Sequence, residues 1–263
     1  MQFKFTRKSL CIPYAVYLIL FVVAPLVVLF YYAFTNGSGQ FTLANFTGFF
    51  TDPNALGTLF YSFAVAVVTT LVCLILAYPI ACILAFSKIK AKSAVVMLFV
   101  LPMWINFSLR ITALKEILTV LEGNLAMYPF FNAVVGMTYD FLPFMILPIY
   151  TTVSRLDGAL REAAMDLGAN EVQTFLRVTL PLSVPGIMSG ISMVFLPAMT
   201  NYVVLDMLYN STYIMGSLIG SYFAAYNWNG GSMIALILLG IICLFTLLTS
   251  SGEENTNRGG ALL

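Results

Sequence analysis

The sequence predicts an all-α integral membrane protein, and three observations support that prediction. Apolar residues make up 60% of the 263 residues, and the mean hydropathy is +0.95. Charged residues make up only 9%, compared with about a quarter of a typical soluble chain. The apolar residues form long uninterrupted runs rather than the alternating segments of roughly ten residues that build a membrane β-barrel. A soluble domain is excluded, and the lack of a dense basic patch argues against nucleic-acid binding.

Six segments are long enough to cross a bilayer, which takes about 20 predominantly apolar residues. They cover residues 12–34, 59–86, 94–114, 130–153, 187–208 and 233–250. The first run is too long for a signal peptide, and no small-residue cleavage site follows it, so we expect it to be retained. The predicted organisation is an N-terminal tail (1–11), a six-helix transmembrane domain (12–250) and a C-terminal tail (251–263).

The basic residues predict the orientation of these spans. If the spans alternate, ten of the twelve Lys and Arg residues share one side: Lys4, Arg7, Lys8, Lys88, Lys90, Lys92, Arg155, Arg161, Arg177 and Arg258. Membrane proteins concentrate Lys and Arg on the cytoplasmic side. Both termini and the connection between the fourth and fifth spans are therefore predicted to be cytoplasmic.

That connection collects seven charged residues between two apolar spans: Arg155, Asp157, Arg161, Glu162, Asp166, Glu171 and Arg177. Its first part, residues 156–167, has apolar residues at three- and four-residue spacing, which predicts an amphipathic helix. Gly168 is expected to end this helix, since glycine adopts the left-handed conformation without a Cβ clash. Asn170 and Gln173 have the spacing of a capping box and predict the start of a second helix.

The second helix is expected to be short. Pro181 is predicted to interrupt it, and Pro185 and Gly186 to mark the beginning of the fifth span. The residues themselves leave two interpretations open. The segment is either a solvated connector with a lipid-facing stripe, or a rigid helix pair whose apolar ridge docks into the groove of a cytoplasmic partner.

A longer pattern within this segment resembles a known family. Glu162, Ala163 and Ala164, followed by Gly168, Val178, Leu180 and Pro181, fit E-A-A-x3-G-x9-[IVL]-x-L-P. This resembles the EAA loop of the permease subunits of binding-protein-dependent ABC importers. The resemblance implies a type I importer permease with a MetI-like bundle, in which the loop spanning 155–181 couples the membrane domain to an ATPase. The implied coupling residues are Glu162, Ala163, Ala164, Gly168 and Pro181.

Three further stretches narrow the resemblance: LPMWINFSLR (101–110), LPFMILPIY (142–150) and FLPAMTNYVV (195–204). Together they resemble PotB-type permeases of spermidine/putrescine importers in the bacterial inner (plasma) membrane. Permeases for sulfate and iron(III) share parts of these stretches, so those solutes remain alternatives. A secondary transporter is a further alternative, although an internal repeat that would favour it is not evident.

The substrate-path candidates are Asp140, Tyr139, Trp104 and Asn106. A carboxylate within a membrane span is a functional candidate, and aromatic faces attract cations, so these side chains suit a polyamine. The alternatives are structural: Asp140 pairs with Arg110 or with a group on a partner subunit, Trp104 anchors the interface, and Asn106 bonds across helices. Pro143, Pro148 and Pro197 free backbone carbonyls within the spans and are candidate hinges.

The chain is not expected to be an enzyme. It has no His, its four Cys lack metal-site spacing, and it contains no G-x-x-x-x-G-K-[ST] motif for ATP. ATP and Mg are therefore expected on a partner. The resemblance implies an ABC ATPase dimer (PotA-like), a second permease subunit (PotC-like) and an extracytoplasmic polyamine-binding protein (PotD-like), besides the lipid bilayer.

Overall fold

The computed structural model describes residues 11–87, 91–208 and 214–260. Helices dominate these ranges, and the only extended pairing in them is an isolated bridge between Thr35 and Phe41. The predicted all-α fold class is confirmed. Contacts divide the chain into two compact units, residues 1–57 with 217–241, and residues 58–216 with 242–263. Lys4, Arg7, Lys8, Lys88 and Lys90, which entered the orientation prediction, lie outside the described residues.

Five helices of the described chain are long and apolar enough to span a membrane, and a bent helix pair gives a sixth if it counts as one span. The prediction of six spans is met in number only if the bent pair counts as one span, since five continuous helices qualify by themselves. Several predicted boundaries differ from the observed ones, and each difference has a local cause.

The first unit begins with a continuous 22-residue span, Ile12–Ala33. It consists of α1 (Cys11–Leu18), a π-helical stretch (Ile19–Val23) and α2 (Ala24–Ala33). None of its most apolar window is buried within the chain, whereas Ala33 at its end is fully buried.

The segment between the first two spans contains helical structure. Helix α3 (Ala44–Thr51) lies within it, and helix α4 (Pro53–Phe86) begins six residues before the predicted start at residue 59. Asp52 explains this early start, because its carboxylate accepts a hydrogen bond from the Asn54 amide at 2.9 Å. Pro53 occupies the first helical turn, where its missing N–H costs nothing.

The rest of the first unit comes from the C-terminal part of the chain. Helix α12 (Met215–Ala224) has ten residues and is too short to span a membrane. Helix α13 (Trp228–Gly260) contains the last span, and it begins five residues before the predicted start at 233. The Asn229 amide donates to the carbonyl oxygens of Tyr32 and Thr35, at 2.9 and 2.7 Å, which ties the start of α13 to the end of α2.

In the second unit, the predicted third span is broken into α5 (Lys92–Trp104) and α6 (Phe107–Glu122). The two helices are bent by 93° relative to each other. Pro102 lies in the last turn of α5, and Ile105 then becomes extended. Asn106 starts α6 by accepting hydrogen bonds from the backbone amides of Ser108 and Leu109. A proline followed four residues later by a capping residue ends one helix and begins the next.

The core of the second unit lies between α7 (Pro129–Val153) and α10 (Leu180–Thr200). Small residues of α10, namely Ser183, Gly186 and Gly190, are buried at this interface. A Cβ atom on Gly186 would lie 2.8 Å from the Pro148 carbonyl oxygen, and one on Gly190 would lie 2.6 Å from the Met145 sulfur. Glycines let membrane helices approach closely where the hydrophobic effect adds little.

The prolines inside these spans do not break them. Helix α7 continues through Pro143 and Pro148, and α10 continues through Pro185 to Thr200, three residues after Pro197. The predicted fifth span therefore ends at Thr200 instead of residue 208, and a separate short helix, α11 (Val203–Leu208), follows. Asn201 makes the break, since its side chain accepts a hydrogen bond from the Val203 amide at 3.1 Å.

Candidate functional site

The loop between α7 and α10 begins with an amphipathic helix, as the sequence predicts. Helix α8 (Gly158–Asp166) is capped by Asp157, whose carboxylate accepts a hydrogen bond from the Ala159 amide at 3.0 Å. Side-chain capping satisfies one of the backbone donors that a helix start leaves open. The helix therefore has a well-defined beginning only four residues after the membrane-spanning α7.

Gly168 ends α8 as predicted. Its φ is +87°, in the left-handed region that non-glycine residues rarely adopt. The Gly168 amide donates to the Met165 carbonyl at 2.9 Å, and the Ala169 amide donates to the Ala164 carbonyl at 3.1 Å. These two bonds form a Schellman motif, which satisfies the last carbonyls of the helix. The chain therefore turns sharply and reproducibly at this glycine.

The predicted capping box is also present. The Asn170 side chain accepts from the Gln173 amide at 2.8 Å, and the Gln173 side chain accepts from the Asn170 amide at 3.0 Å. These reciprocal bonds begin helix α9 (Glu171–Thr174). Both ends of the turn between α8 and α9 are thus fixed by hydrogen bonds within the loop itself.

The predicted interruption at Pro181 is wrong. Helix α9 continues through a π-helical stretch (Phe175–Thr179) into α10, so that one helix of 30 residues runs from Glu171 to Thr200. In the π-helical stretch the Leu180 amide donates to the Phe175 carbonyl, five residues back. This wider turn lies directly before Pro181, whose nitrogen has no hydrogen to donate. The helix therefore continues through the proline without a break. The second arm of the loop is therefore a direct extension of the fifth span.

Apolar side chains of this loop are exposed although they lie outside the predicted span. Leu167 is 90% exposed, and Leu160, Val172 and Leu176 are each about half exposed or more. Glu162 and Ala163 are exposed beside them. Several exposed apolar side chains among charged residues in one short loop indicate an interaction site. We call this set of six residues the loop ridge.

The base of the loop is anchored to α4. The Tyr78 hydroxyl lies 2.8 Å from the Ser183 hydroxyl, and Ser183 in turn donates to the Leu180 carbonyl. The Tyr78 ring packs edge-to-face on Phe175, with ring centroids 5.7 Å apart. A third connection, in which the Arg161 guanidinium lies over the Phe86 ring, joins α8 to the end of α4. Sequence spacing gave no signal for these contacts, because they join residues 75 to 105 positions apart.

Of the substrate-path candidates, the structure brings Asp140 and Tyr139 together with Arg110. Asp140 and Arg110 form a buried ion pair with 2.5 Å between the carboxylate oxygen and the guanidinium nitrogen. The same guanidinium lies 5.9 Å from the centre of the Tyr139 ring, which is partly exposed. The structural alternative for Asp140, pairing with Arg110, is thus realised in this structure.

Trp104 and Asn106 lie at the break between α5 and α6. The Trp104 ring is 72% exposed, and the Asn106 side chain is occupied as the cap of α6. The alternative of a hydrogen bond from Asn106 across helices is not realised, because its oxygen accepts from its own helix start. In the described part of the chain, no cluster of three His, Cys, Asp or Glu side chains could hold a metal ion.

Comparison with known families identifies the chain. The family described as "Binding-protein-dependent transport system inner membrane component" matches residues 77–251, more than half of the sequence. The chain belongs to this family. The matched range includes the EAA pattern, and the chain is a membrane permease subunit of an ABC importer, not an enzyme.

Two relatives resemble the permease over most of its length. It is 31% identical over 277 residues to the spermidine/putrescine transport system permease protein PotB of Haemophilus influenzae, covering 97% of this chain and 96% of that protein. It is 33% identical over 235 residues to the protein of the same name from Escherichia coli K12, covering 83% and 85%.

Solved structures support the fold of the permease. A chain of a bacterial ABC transporter involved in the import of the acidic polysaccharide alginate superposes with a TM-score of 0.75, at 14% identity and 94% coverage of both chains. A chain of the inward-facing MetNI methionine ABC transporter superposes with a TM-score of 0.60, at 16% identity, over 76% of this chain and 95% of that one. The predicted MetI-like importer fold is confirmed.

Proposed function

We propose that the permease forms part of the translocation path of a polyamine importer and that its loop ridge docks on a separate ATPase. The observation that carries this proposal is the exposure of Leu167, Leu160, Val172 and Leu176 on a loop fixed by two caps. A connector without a partner would gain nothing from exposing apolar side chains on so rigid a frame. Glu162, Ala163, Ala164, Gly168 and Pro181 are the coupling residues in this proposal.

The relatives support a polyamine as the solute. The two described above carry spermidine/putrescine transport in their names, and each aligns over most of both chains. The fold does not select the solute, since the alginate importer has the same fold and takes an acidic polysaccharide. Sulfate and iron(III) are the alternative substrates, and an uptake experiment has to distinguish them from spermidine and putrescine.

The proposed partners follow from the family and from what the sequence lacks. An ABC ATPase dimer would hold ATP and Mg, because this sequence has no phosphate-binding loop. A dimeric motor offers two docking clefts, and this chain has one EAA pattern, so a second permease subunit completes the pair. An extracytoplasmic binding protein delivers the solute, which accords with the description of the family.

The orientation in the proposal places both termini and the loop ridge in the cytoplasm of a bacterial cell. Lysine and arginine residues in the segments assigned to that side outnumber those on the other side ten to two. The ATPase is then on the same side as its docking surface.

Coupling in this scheme relies on the geometry of the loop. Because α9 and α10 form one continuous helix, a displacement of the loop at the ATPase moves the cytoplasmic end of the fifth span as a lever. Gly186 and Gly190 pack this span against α7, so the movement reaches the core of the second unit. Alternating access then follows from ATP binding and hydrolysis on the partner.

The solute path in the proposal uses aromatic faces. Trp104 and Tyr139 have exposed rings that can contact ammonium groups, whereas Asp140 is neutralised by Arg110. Asn106 and Asp140 are candidate solute contacts only in conformations in which the ends of α5 and α6 move and free their side chains.

The test uses the complete transporter expressed from its own genes in a strain without endogenous polyamine uptake. Glu162→Lys and Gly168→Pro are expected to abolish uptake of labelled spermidine and putrescine while the permease stays in the membrane. Glu116→Lys carries the same charge change as Glu162→Lys at an exposed position of α6 and serves as its control.

Three measurements accompany uptake: the amount of permease in the membrane, recovery of the ATPase with the tagged permease, and competition by sulfate and iron(III). Wild-type ATPase recovery and uptake in both loop variants would contradict the docking assignment. Uptake of labelled spermidine that excess sulfate or iron(III) reduces as strongly as excess unlabelled spermidine does would contradict the polyamine assignment alone.

A further inference from the structure

Helix α8 carries the centre of the EAA pattern, yet little holds it to the membrane-spanning helices. None of its residues is buried. Its capping bonds all lie within the loop, so they shape α8 without attaching it to a span. A displacement of α8 by a docked ATPase therefore reaches the fifth span through α9, but it needs a side-chain connection to reach α4.

Arg161 supplies such a connection to α4. Its guanidinium carbon lies 4.2 Å from the centre of the ring of Phe86, the last residue of that helix. A cation within about 6 Å of a ring centre is attracted by the negative face of the ring. The planar guanidinium also stacks on aromatic faces, which fixes orientation as well as distance.

Arg161 and Phe86 both line two small cavities between the loop and the membrane-spanning helices. One cavity of about 300 Å³ is lined by Cys82, Glu171, Val172, Phe175 and Thr179 in addition to these two residues. A second, of about 350 Å³, lies towards the end of α7, with Val153, Leu156 and Met165 in its wall. The stacked pair belongs to the walls of both cavities, and it connects α8 to the end of α4.

We propose that Arg161 is a positioning residue that transmits the movement of α8 to α4 through the Phe86 ring. This inference rests on the proposed function, since it assumes an ATPase that moves α8. It adds a second route to the continuous α9–α10 lever: α10 is moved through its extension α9, and α4 is moved through the stacked pair. Removal of the pair leaves α8 folded and docked, but α4 no longer follows it.

The contact is separable from the fold of the loop. Asp157, Gly168 and the box formed by Asn170 and Gln173 fix both ends of the turn without any atom of Arg161. In the described residues no carboxylate oxygen lies within salt-bridge distance of this guanidinium. Substitution of Arg161 therefore removes the ring contact without leaving an unpaired acid behind.

The experiment measures solute transported per ATP hydrolysed in the purified complex reconstituted in vesicles with its binding protein. Arg161→Gln and Phe86→Leu are each expected to lower this ratio about threefold to tenfold, the range that a partly desolvated cation–π contact supports. Recovery of the ATPase with the permease and basal ATP hydrolysis stay at wild-type levels. Lys115→Gln removes a positive charge from α6 and serves as the control for net charge.

Two further variants separate transmission from a structural effect. Phe86→Trp keeps an aromatic face and is expected to retain the wild-type ratio. The double variant Arg161→Gln with Phe86→Leu is expected to be no worse than either single variant, because both remove the same interaction. A wild-type ratio in Arg161→Gln, or additive losses in the double variant, would overturn the inference.

The outcome for the wild-type protein distinguishes this inference from the proposed function. If no ATPase is recovered with the wild-type permease, or its vesicles show no ATP-dependent uptake, the proposed function fails. If the wild type transports and the Arg161 and Phe86 variants behave like it, the proposed function stands and the transmission route through Phe86 does not.

Discussion

Arg110 of α6 and Asp140 of α7 form an ion pair in which both side chains are more than nine-tenths buried. The pair connects α7 to the helix that begins after the 93° bend. Buried charges are expensive unless each has a partner, and removal of one partner leaves the other uncompensated.

We expect Asp140→Leu and Arg110→Leu each to destabilise the protein by about 3–5 kcal/mol, the usual cost of leaving a buried charge unpaired. The double variant should recover most of that loss, since no buried charge remains. Thermal unfolding of the detergent-purified protein measures the effect. A double variant no more stable than the single variants would show that the pair does not act as a neutral unit.

The same variants test whether Asp140 binds solute. If Asp140 only neutralises Arg110, a stable double variant should transport spermidine at a rate close to wild type, once corrected for the amount of protein. Loss of uptake in a double variant of normal stability would instead assign the Asp140 carboxylate to the solute path.

Gly168 offers a prediction about the loop alone. With φ at +87°, alanine at this position should cost about 1–2 kcal/mol, because a Cβ crowds the carbonyl oxygen in the left-handed conformation. Amide hydrogen exchange in α8 should accelerate correspondingly, and uptake should fall. Gly158→Ala is the matched control, since Gly158 starts α8 at negative φ and its Cβ would meet nothing within 4 Å. Equal effects of the two substitutions would contradict this explanation.

The parts of the site that could be predicted from sequence are those governed by local chemistry. Gly168, Asn170 and Gln173 act on backbone groups at most five residues away, so spacing alone identifies them. The break in the third span was missed although Pro102 and Asn106 are also local signals. Apolarity averaged over a long window favours one straight span and hides a capping residue within it.

Other features depend on contacts between distant residues and could not be predicted. The Tyr78–Ser183 hydrogen bond joins residues 105 positions apart, and the contact of Arg161 with Phe86 depends on where α4 ends. The continuity of the helix through Pro181 was likewise unpredictable. A proline within a helix predicts a break unless a π-helical turn precedes it. No residue pattern in Phe175–Thr179 predicts such a turn.

The packing of α10 on α7 gives a prediction about stability. A Cβ on Gly186 would lie 2.5 Å from the Thr152 hydroxyl oxygen and 2.8 Å from the Pro148 carbonyl oxygen, so backbone would have to move. At Gly190 the nearest atom is the Met145 sulfur, at the flexible end of a side chain. We expect Gly186→Ala to destabilise by about 1–3 kcal/mol and Gly190→Ala by less.

Gly240→Ala is the control for this pair, because it lies in a helix and its Cβ would meet nothing within 4 Å. Thermal unfolding in detergent ranks the three variants. Thr152→Ala should rescue Gly186→Ala only in part, since the Pro148 carbonyl remains. Equal stability of the Gly186 and Gly240 variants would rule out close packing at this site.

Tyr226 combines a positive φ of 58° with a side chain that lies in solvent, since the residue is 81% exposed. Its backbone is held in the turn between α12 and α13 by a hydrogen bond from its amide to the Phe223 carbonyl. Asparagine tolerates the left-handed region, so Tyr226→Asn should raise stability by about 0.5–1 kcal/mol. Tyr226→Ala removes the ring but keeps the strain, and should gain nothing. Both variants lose the same exposed ring. If the unfolding temperature rises equally in both, the loss of the side chain and not relief of the backbone explains the gain.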